Sequence, residues 1–502
     1  MTAPDRFLAT LDPDRTARAL ELLTLAPEDL LLVGGDDRQL PRAGTARNGY
    51  GLPLVDREPI VRGSSCTATP PDTVALADVA AWSSGLARSL TSAGRLPSPD
   101  TFHEAVASRI AAHLGLDATH AERIVLAPSG TDAESIATGL VLAASDRSLC
   151  NIVLGAAESG SGTVNAALGR YFARRTPFRG DVDTGEPITG VDPDRVRLVN
   201  VELRDRRGRA RRAFDVEAEV EAHIEDALDR GEQVLVHAMA GSKTDLRQLS
   251  SDWVRIWRAR GAPHVSVLID AAQARVPSSA VRDFLAAGAS VMVTGSKALG
   301  APPFCGAIVL DAALMHGAMT AVSRGKRLPR GFAHIVALAD MPRWLRGMLP
   351  GAQHANLGLL ARWHVGLGEL DRYRAIPSVW RADFTHRLCT AITAQLRSTP
   401  GIVVLDSDSP SIVSFGLRTA SGELAPRGPV RDLYSALVSQ PGVQFGQPVE
   451  LAPRRAAVLR YAIGVVTASR LAATGQSPAE AAHGATAAAI AAVRGALLEV
   501  QV

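Results

Sequence analysis

The apolar residues of this chain fall into two alternating patterns. Short runs rich in valine, isoleucine and leucine have the continuity of strands buried on both faces; they are Ile124 to Ala127, Asn151 to Gly155, Val196 to Leu203, Val234 to Met239, Val265 to Ile269 and Val291 to Val293. Between them lie segments with helical apolar spacing: Ser135 to Ala144, Val164 to Ala173, the acidic Val216 to Asp229, and Ala280 to Ala287. Such a succession predicts an α/β region, because two parallel strands need a crossover and a helix is its usual form. Ile308 to Leu310 is a closing strand.

The flanks read differently. Upstream come helix patterns at Arg15 to Leu25, Thr73 to Ala93 and Phe102 to Leu116, with a Gly/Pro-rich connection from Gly34 to Pro59. Downstream, a helix at Leu357 to Leu367 leads to a mixed series: helix Trp380 to Arg397, strands Ile402 to Leu405 and Ile412 to Gly416, helix Val430 to Ser439, strand Ala457 to Tyr461, and a terminal helix opened by the capping box Ser477-Pro-Ala-Glu. The expected organisation is an N-terminal segment over residues 1–95, a large α/β domain over 96–340, and a linking helix with a small α+β domain over 341–502.

Composition narrows the function. The 502 residues are 46% hydrophobic but only 4% aromatic, enough for a large core of alanine, valine and leucine. With 54 basic and 51 acidic residues the net charge is +3, which offers no electrostatic case for a nucleic-acid polymer. Arg204 to Arg212 is the one basic cluster and reads as an exposed loop. Cys66, Cys150, Cys305 and Cys389 show neither disulfide nor metal spacing, so the expectation is a reducing cytoplasm and no metal. No signal peptide or long apolar span is read, and no membrane is expected.

The chemistry concentrates between Pro263 and Ala307. Asp270 ends one buried strand, within Asp-Ala-Ala-Gln-Ala, and Lys297 follows the next, within Thr-Gly-Ser-Lys. In an open parallel sheet, functional groups gather beyond the carboxyl ends of the strands, so these two side chains belong to one cleft. A second turn, Pro128-Ser-Gly-Thr-Asp-Ala-Glu, joins a strand to a helix and presents backbone N–H groups at a helix N-terminus, where an anion is favoured.

Asp-x-x-Gln-Ala followed by a lysine in a Ser/Thr/Gly-rich turn resembles the fold-type I pyridoxal phosphate (PLP) enzymes, in particular the class V aminotransferase and cysteine desulfurase branch. The resemblance implies a mostly parallel, seven-stranded-type sheet with a small α+β domain, and pyridoxal 5'-phosphate as cofactor. It implies that Lys297 forms a Schiff base with the cofactor aldehyde, Asp270 pairs with the ring nitrogen and Gln273 reaches the ring hydroxyl. Ser129, Gly130 and Thr131 take the phosphate position. Thr294 and Ser296 flank the lysine, with Ser296 standing where many class V members have histidine. Glu158 and Ser159, in Glu-Ser-Gly-Ser-Gly-Thr, occupy the place where relatives carry a ring stacked on the cofactor.

Further positions follow from the same resemblance. Ser242 and Thr244, in Ala-Gly-Ser-Lys-Thr, lie near the cofactor oxygen, while Lys243 beside them reads first as an exposed loop lysine, with a second amine of the site as the alternative. Arg460 takes the substrate carboxylate, with Arg454, Arg455 and Arg470 as weaker substitutes. Gln353, His354 and Asn356 approach the neighbouring subunit's cofactor in a homodimer. Arg62 to Thr67 reads first as a loop leading into the helix Thr73 to Ala93, with lining of the site as the alternative, and Cys66 reads as a packed residue.

The implied substrate is an α-amino acid, with amino transfer as the default reaction. Elimination or replacement at the β or γ carbon is the alternative, including C–C bond formation between an S-adenosylmethionine-like substrate and a bulky, nucleotide-like second molecule. Persulfide formation is disfavoured, since Cys389 falls in a helix pattern. A cofactor-free scaffold is the alternative from another class, and the joint presence of Asp270, Gln273 and Lys297 argues against it.

Overall fold

A computed structural model describes residues 15–57, 61–244, 246, 249–261, 263–406, 409–440, 442–452 and 456–500, so Arg454 and Arg455 lie outside the described residues. Among the described residues, twelve strands form two sheets: β1 (Val61–Gly63), β2 (Ile124–Ala127), β3 (Leu149–Leu154), β4 (Val196–Val201), β5 (Gln233–Met239), β6 (Val265–Ala271), β7 (Ser290–Thr294), β8 (Gly306–Val309), β9 (Ile402–Val404), β10 (Ile412–Leu417), β11 (Val443–Ala452) and β12 (Ala456–Ala462). The large sheet has the order β2-β8-β7-β6-β5-β3-β4, and β8 alone runs against its neighbours.

Burial on both faces explains why these strands read as unbroken apolar runs. Along β2, Ile124 and Leu126 enter one core while Val125 and Ala127 enter the other; along β5, Val234 and Val236 are separated from Leu235 in the same way. One face is covered by helices that include Pro99–His113, Ala213–Asp229 and Leu357–Ala375, the other by Gly130–Ala144 and Ala312–Ser323. Parallel strands of the large sheet end on one edge, where the turns after β2, β3, β5, β6 and β7 all emerge.

The small sheet, β1-β11-β12-β10-β9, is antiparallel except where β1 joins β11 in parallel, Val61 opposite Val443. Residues from the beginning of the chain thus complete the C-terminal sheet. The core beneath it takes Phe384, Leu388, Ile392 and Leu396 from one stripe of helix Ser378–Arg397, and the alanine face of helix Pro478–Glu499. This last helix is long and apolar enough to cross a membrane by length and composition, a span the sequence reading does not pick out; half of its most apolar window is buried against the small domain. Its capping box, with Ser477 and Glu480, forms as expected.

Several elements differ from expectation, β1 and the helices Ala312–Ser323 and Val465–Ala472 among them. The helix expected over Val164 to Ala173 spans only Thr163–Ala167, and the chain turns away at Gly169, whose φ of 64° is left-handed. β11 and helix Ser251–Gly261 are additional elements.

A buried guanidinium ties the N-terminal segment to the large domain. Arg362, on helix Leu357–Ala375, donates to the carbonyls of Phe304 (2.6 Å), Leu31 (2.8 Å), Val33 (2.7 Å) and Gly34 (3.1 Å). Burial pushes its pKa down to about 10, a penalty that these four acceptors offset. Arg362→Met would leave the carbonyls of Phe304, Leu31 and Val33 without this donor, while Gly34 keeps the Asn356 amide. It is expected to cost about 3 kcal/mol or more, read as a lowered melting temperature, and to open residues 31–38 to limited proteolysis before the large sheet is cut.

Candidate functional site

At the carboxyl edge of the large sheet a cleft opens, lined by Arg38, Tyr50, Cys66, Thr67, the turn Ser129 to Thr131, Glu134, Gly160, Ser161, Thr163, Lys243, Asp270, Thr294, Ser296, Lys297 and Arg460, among others. Its floor follows from strand order. β6 and β7 are adjacent and parallel, so the residues that end them, Asp270 and the Thr294 to Lys297 turn, emerge side by side. Asp270 Oδ1 accepts the backbone N–H of Ala272 (2.7 Å), which fixes the carboxylate, and the Thr294 hydroxyl donates to the Ala272 carbonyl (2.7 Å), which ties the two turns together. Burial lowers the pKa of Lys297, with Asp270 opposing and Arg460 adding to the shift; burial likewise raises Asp270, with Lys297 opposing. Each keeps the other's charge affordable in a dry place.

The anion-binding end is built at the start of helix Gly130–Ala144. Ser129 is its N-cap, accepting from the Asp132 N–H (3.1 Å), and β8 passes so close behind that a Cβ on Gly306 would meet the Ser129 carbonyl at 2.7 Å. Arg38 reaches this turn from the N-terminal segment. Its guanidinium pairs with Asp36 (2.7 Å), donates to Ser129 Oγ (3.1 Å) and Thr131 Oγ1 (3.3 Å), and lies over the rings of Phe172 (4.7 Å) and Phe304 (5.0 Å). Arg38, paired with Asp36, thus stands beside the N-terminal turn of a helix, where an anion is favoured.

At the opposite side stands Arg460 on β12, 2% exposed. Its Nη2 donates to the Gln447 carbonyl (2.8 Å) and more weakly to Thr67 Oγ1 (3.4 Å), while Nε and Nη1 are buried with no partner. Arg470 is engaged elsewhere, with Asp72 (2.8 Å) and Glu369 (2.5 Å).

Other sequence candidates lie behind the cleft. Gln273 is buried and its amide donates to the Cys66 carbonyl (3.3 Å), with Oε1 unpartnered. Glu158 accepts from Arg204 (2.5 Å), Ser242 (2.5 Å) and Thr244 (2.5 Å), so Glu158 and Ser242 form a supporting polar cluster under the turn after β5. Ser159 donates to the Ala156 carbonyl (2.9 Å). The basic loop is not a free patch: Arg204 serves Glu158, and Arg209, Arg211 and Arg212 pair with Asp205, Glu219 and Asp215.

The expectation for Asn356 is corrected. It caps helix Leu357–Ala375 by accepting the Leu359 N–H (3.0 Å) and donates to the Gly34 carbonyl (2.7 Å), fully buried, so it cannot reach a neighbouring subunit. His354 bonds the Pro97 carbonyl (2.8 Å), and the Gln353 carbonyl accepts the Leu338 N–H (2.8 Å); neither lines the cleft. Of Arg62 to Thr67, Cys66 and Thr67 line the cleft, while Arg62 pairs with Asp56 (2.7 Å).

Sequence reasoning missed Arg38, Tyr50 and Glu134. The first two come from an irregular segment without period, and the only cue was the glycine-rich composition around them. Glu134 was visible as the last residue of the helix-start motif but was read only as a cap. Its Oε2 is buried without a partner, and its pKa is pushed up to about 8 by burial and by Asp270, against Thr163 and Lys297. A carboxyl raised in this way stabilises the fold below the ordinary glutamate range and loses that contribution as pH climbs through about 8. Glu134→Gln, with the same shape and no charge, is therefore expected to match the wild type near pH 5 and to exceed its stability by at least about 1 kcal/mol at pH 9. Thermal melts across this range check it; a gap independent of pH would contradict it.

No protein-family model matches the chain, and no curated protein matches it in sequence. Solved structures do match. The cysteine desulfurase CsdA from Escherichia coli, in its S-sulfonic acid form, superposes with a TM-score of 0.52 at 14% identity, covering 87% of this chain and 95% of its own. TDC from Oryza sativa, solved with PLP, gives 0.51 at 16% identity, with 88% and 85% covered. Ureidoglycine-glyoxylate aminotransferase from Bacillus subtilis gives 0.52 at 11% identity, with 89% and 95% covered. At these identities the likeness establishes architecture: this chain has the fold-type I fold.

Proposed function

We propose that the chain binds pyridoxal 5'-phosphate and transfers the amino group of an α-amino acid. The observation that carries this reading is the set of unmatched donors around one cleft. Arg460 offers two buried nitrogens, Nε and Nη1, with no acceptor, in the cleft that also holds Lys297, Asp270 and the N-terminal turn of helix Gly130–Ala144. A buried guanidinium left in this state is unfavourable until a carboxylate fills it. The same residues fit the cofactor: an amine for its aldehyde, a carboxylate for its ring nitrogen, and N–H groups with Arg38 for its phosphate.

Pyridoxal phosphate, when bound, supplies an electron-poor ring that lowers the cost of negative charge at the α-carbon of an attached amino acid. The chain's own groups do the rest. Lys297 is the amine that would hold the cofactor through its aldehyde, and its Nζ, when free, would take the α-proton. Burial helps by keeping a larger fraction of that amine neutral. Asp270, held in place by the Ala272 N–H, is the carboxylate that would face the ring nitrogen and keep it protonated. Ser129, Gly130, Thr131 and Arg38 hold the phosphate, and Arg460 orients the substrate through its carboxylate. The rings in the cleft are Tyr50 and Phe304, neither from the Glu158 to Thr163 segment.

One observation favours a second reading, elimination or replacement with a bulky co-substrate. A hollow of about 610 Å³, lined by residues including Asp37, Arg42 and Arg174, shares Arg38, Tyr50 and Ser161 with the cleft. Persulfide chemistry is disfavoured by Cys389, which sits on helix Ser378–Arg397 with its pKa pushed up to about 11 by burial. A homodimer in a reducing compartment belongs to the same proposal, the latter supported by four free cysteines.

The experiment is the visible spectrum of protein loaded with pyridoxal phosphate, for the wild type and Lys297→Ala, followed by an amino-acid panel that includes S-adenosylmethionine. A visible band in the wild type that is lost in the variant is expected, with pyridoxamine phosphate accumulating on turnover. Release of a side-chain leaving group instead would support the second reading, and the absence of a band would overturn both. Arg460→Gln is expected to keep the band and raise KM by about 100-fold, the loss of a charge-assisted bidentate contact; an unchanged KM would count against its role.

A further inference from the structure

The charges around the cleft leave one cation without an assignment. Arg38, Lys243, Lys297 and Arg460 share it with the carboxyl groups of Asp270 and Glu134. Arg38 is paired with Asp36 at the phosphate turn, the Asp270 carboxylate acts on Lys297 ahead of Lys243, and Arg460 has Nε and Nη1 unpartnered and available to a carboxylate. Lys243 remains.

Its placement is built into the fold. Ser242 Oγ accepts the N–H groups of Thr244 (3.2 Å) and Leu246 (3.1 Å), which bends the chain after β5 and points residue 243 into the cleft. Glu158 pins that turn through Ser242 and Thr244. The Glu158 carboxylate is thereby occupied by two hydroxyls and Arg204, and among the described residues Lys243 has no ion-pair partner. Burial, then Arg460, then Lys297 push its amine down to about pKa 7, while Glu158 and Cys66 oppose the shift. A half-buried amine beside two other cations is held at a cost that a second anion would remove.

Resting on the amino-acid reading of this cleft, we infer that Lys243 and Arg460 form a two-point anion clamp, and that the substrate is an amino acid whose side chain carries a carboxylate. Arg460 takes the α-carboxylate and Lys243 the distal one. A monocarboxylic amino acid leaves Lys243 unanswered and binds more weakly.

Calorimetric titration of the pyridoxal phosphate-loaded protein with glutarate and with pentanoate, its monocarboxylate counterpart, tests the clamp without turnover. Glutarate is expected to bind the wild type at least about tenfold tighter, one charge-assisted contact. In Lys243→Met that preference is expected to vanish with pentanoate affinity unchanged, in Lys243→Arg to persist, and in Arg460→Gln both ligands are expected to weaken. Equal affinities in the wild type, or a preference that survives in Lys243→Met, would overturn the clamp. A cofactor spectrum altered in Lys243→Met with the preference intact would assign the amine to the cofactor and overturn it equally. The visible band in the same samples reports on the cofactor separately, so its absence would strike the function proposed above while the ligand preference still decides the clamp.

Discussion

Parallel pairing of β5, β6 and β7 is the constraint from which the site follows. Parallel strands send their carboxyl ends to one edge, and backbone registry sets their order there, with Asp270 opposite Met239 on one side and Met292 on the other. Lys243, Asp270 and Lys297 come from distant stretches of sequence, yet this registry brings them to one wall of one cleft. The strands can be buried on both faces because every backbone group in them is used by a neighbour, and side chains alternate between two cores. Asp270 and Lys297 then gather at the carboxyl ends of the strands, where ladders give way to turns.

The second wall depends on a different interaction. Arg362 gathers carbonyls from Leu31, Val33, Gly34 and Phe304, and so binds the N-terminal segment to the large domain. Arg38 and Tyr50 reach the cleft from that segment, and Phe304 supplies one of the two rings beneath the Arg38 guanidinium. β1 then carries the same segment into the small sheet beside β11, and Arg275 bridges the domains by donating to Ser411 (2.7 Å), Ser65 (2.7 Å) and the Ile463 carbonyl (2.6 Å). Arg460, on β12 of that sheet, faces Lys297 across the cleft as a result.

Legibility in the sequence tracked periodicity. The strands around Asp270 and Lys297 were readable because a double-faced burial leaves an unbroken apolar run, and their chemistry was readable because strand ends are where a parallel sheet exposes function. β11 was not, since Gly446, Gln447 and Pro448 interrupt its pattern and its pairing with β12 is bulged. Lys243 looked like a loop lysine because nothing local shows that Ser242 and Glu158 turn it inward. Asn356 looked like a functional amide because a capping residue and a binding residue are the same in one dimension; only the Gly34 carbonyl beside it decides. Arg38 lies far from the Ser129 turn in sequence, and no local signal joins them.

The central claim is that one particular amine in a cleft holding two carries a pyridoxal cofactor. Borohydride reduction of the loaded protein, followed by proteolysis and mass spectrometry, reads the modified residue directly. The account predicts a phosphopyridoxyl group on the peptide containing Lys297. A modification on Lys243 alone, or no modified peptide, would contradict it.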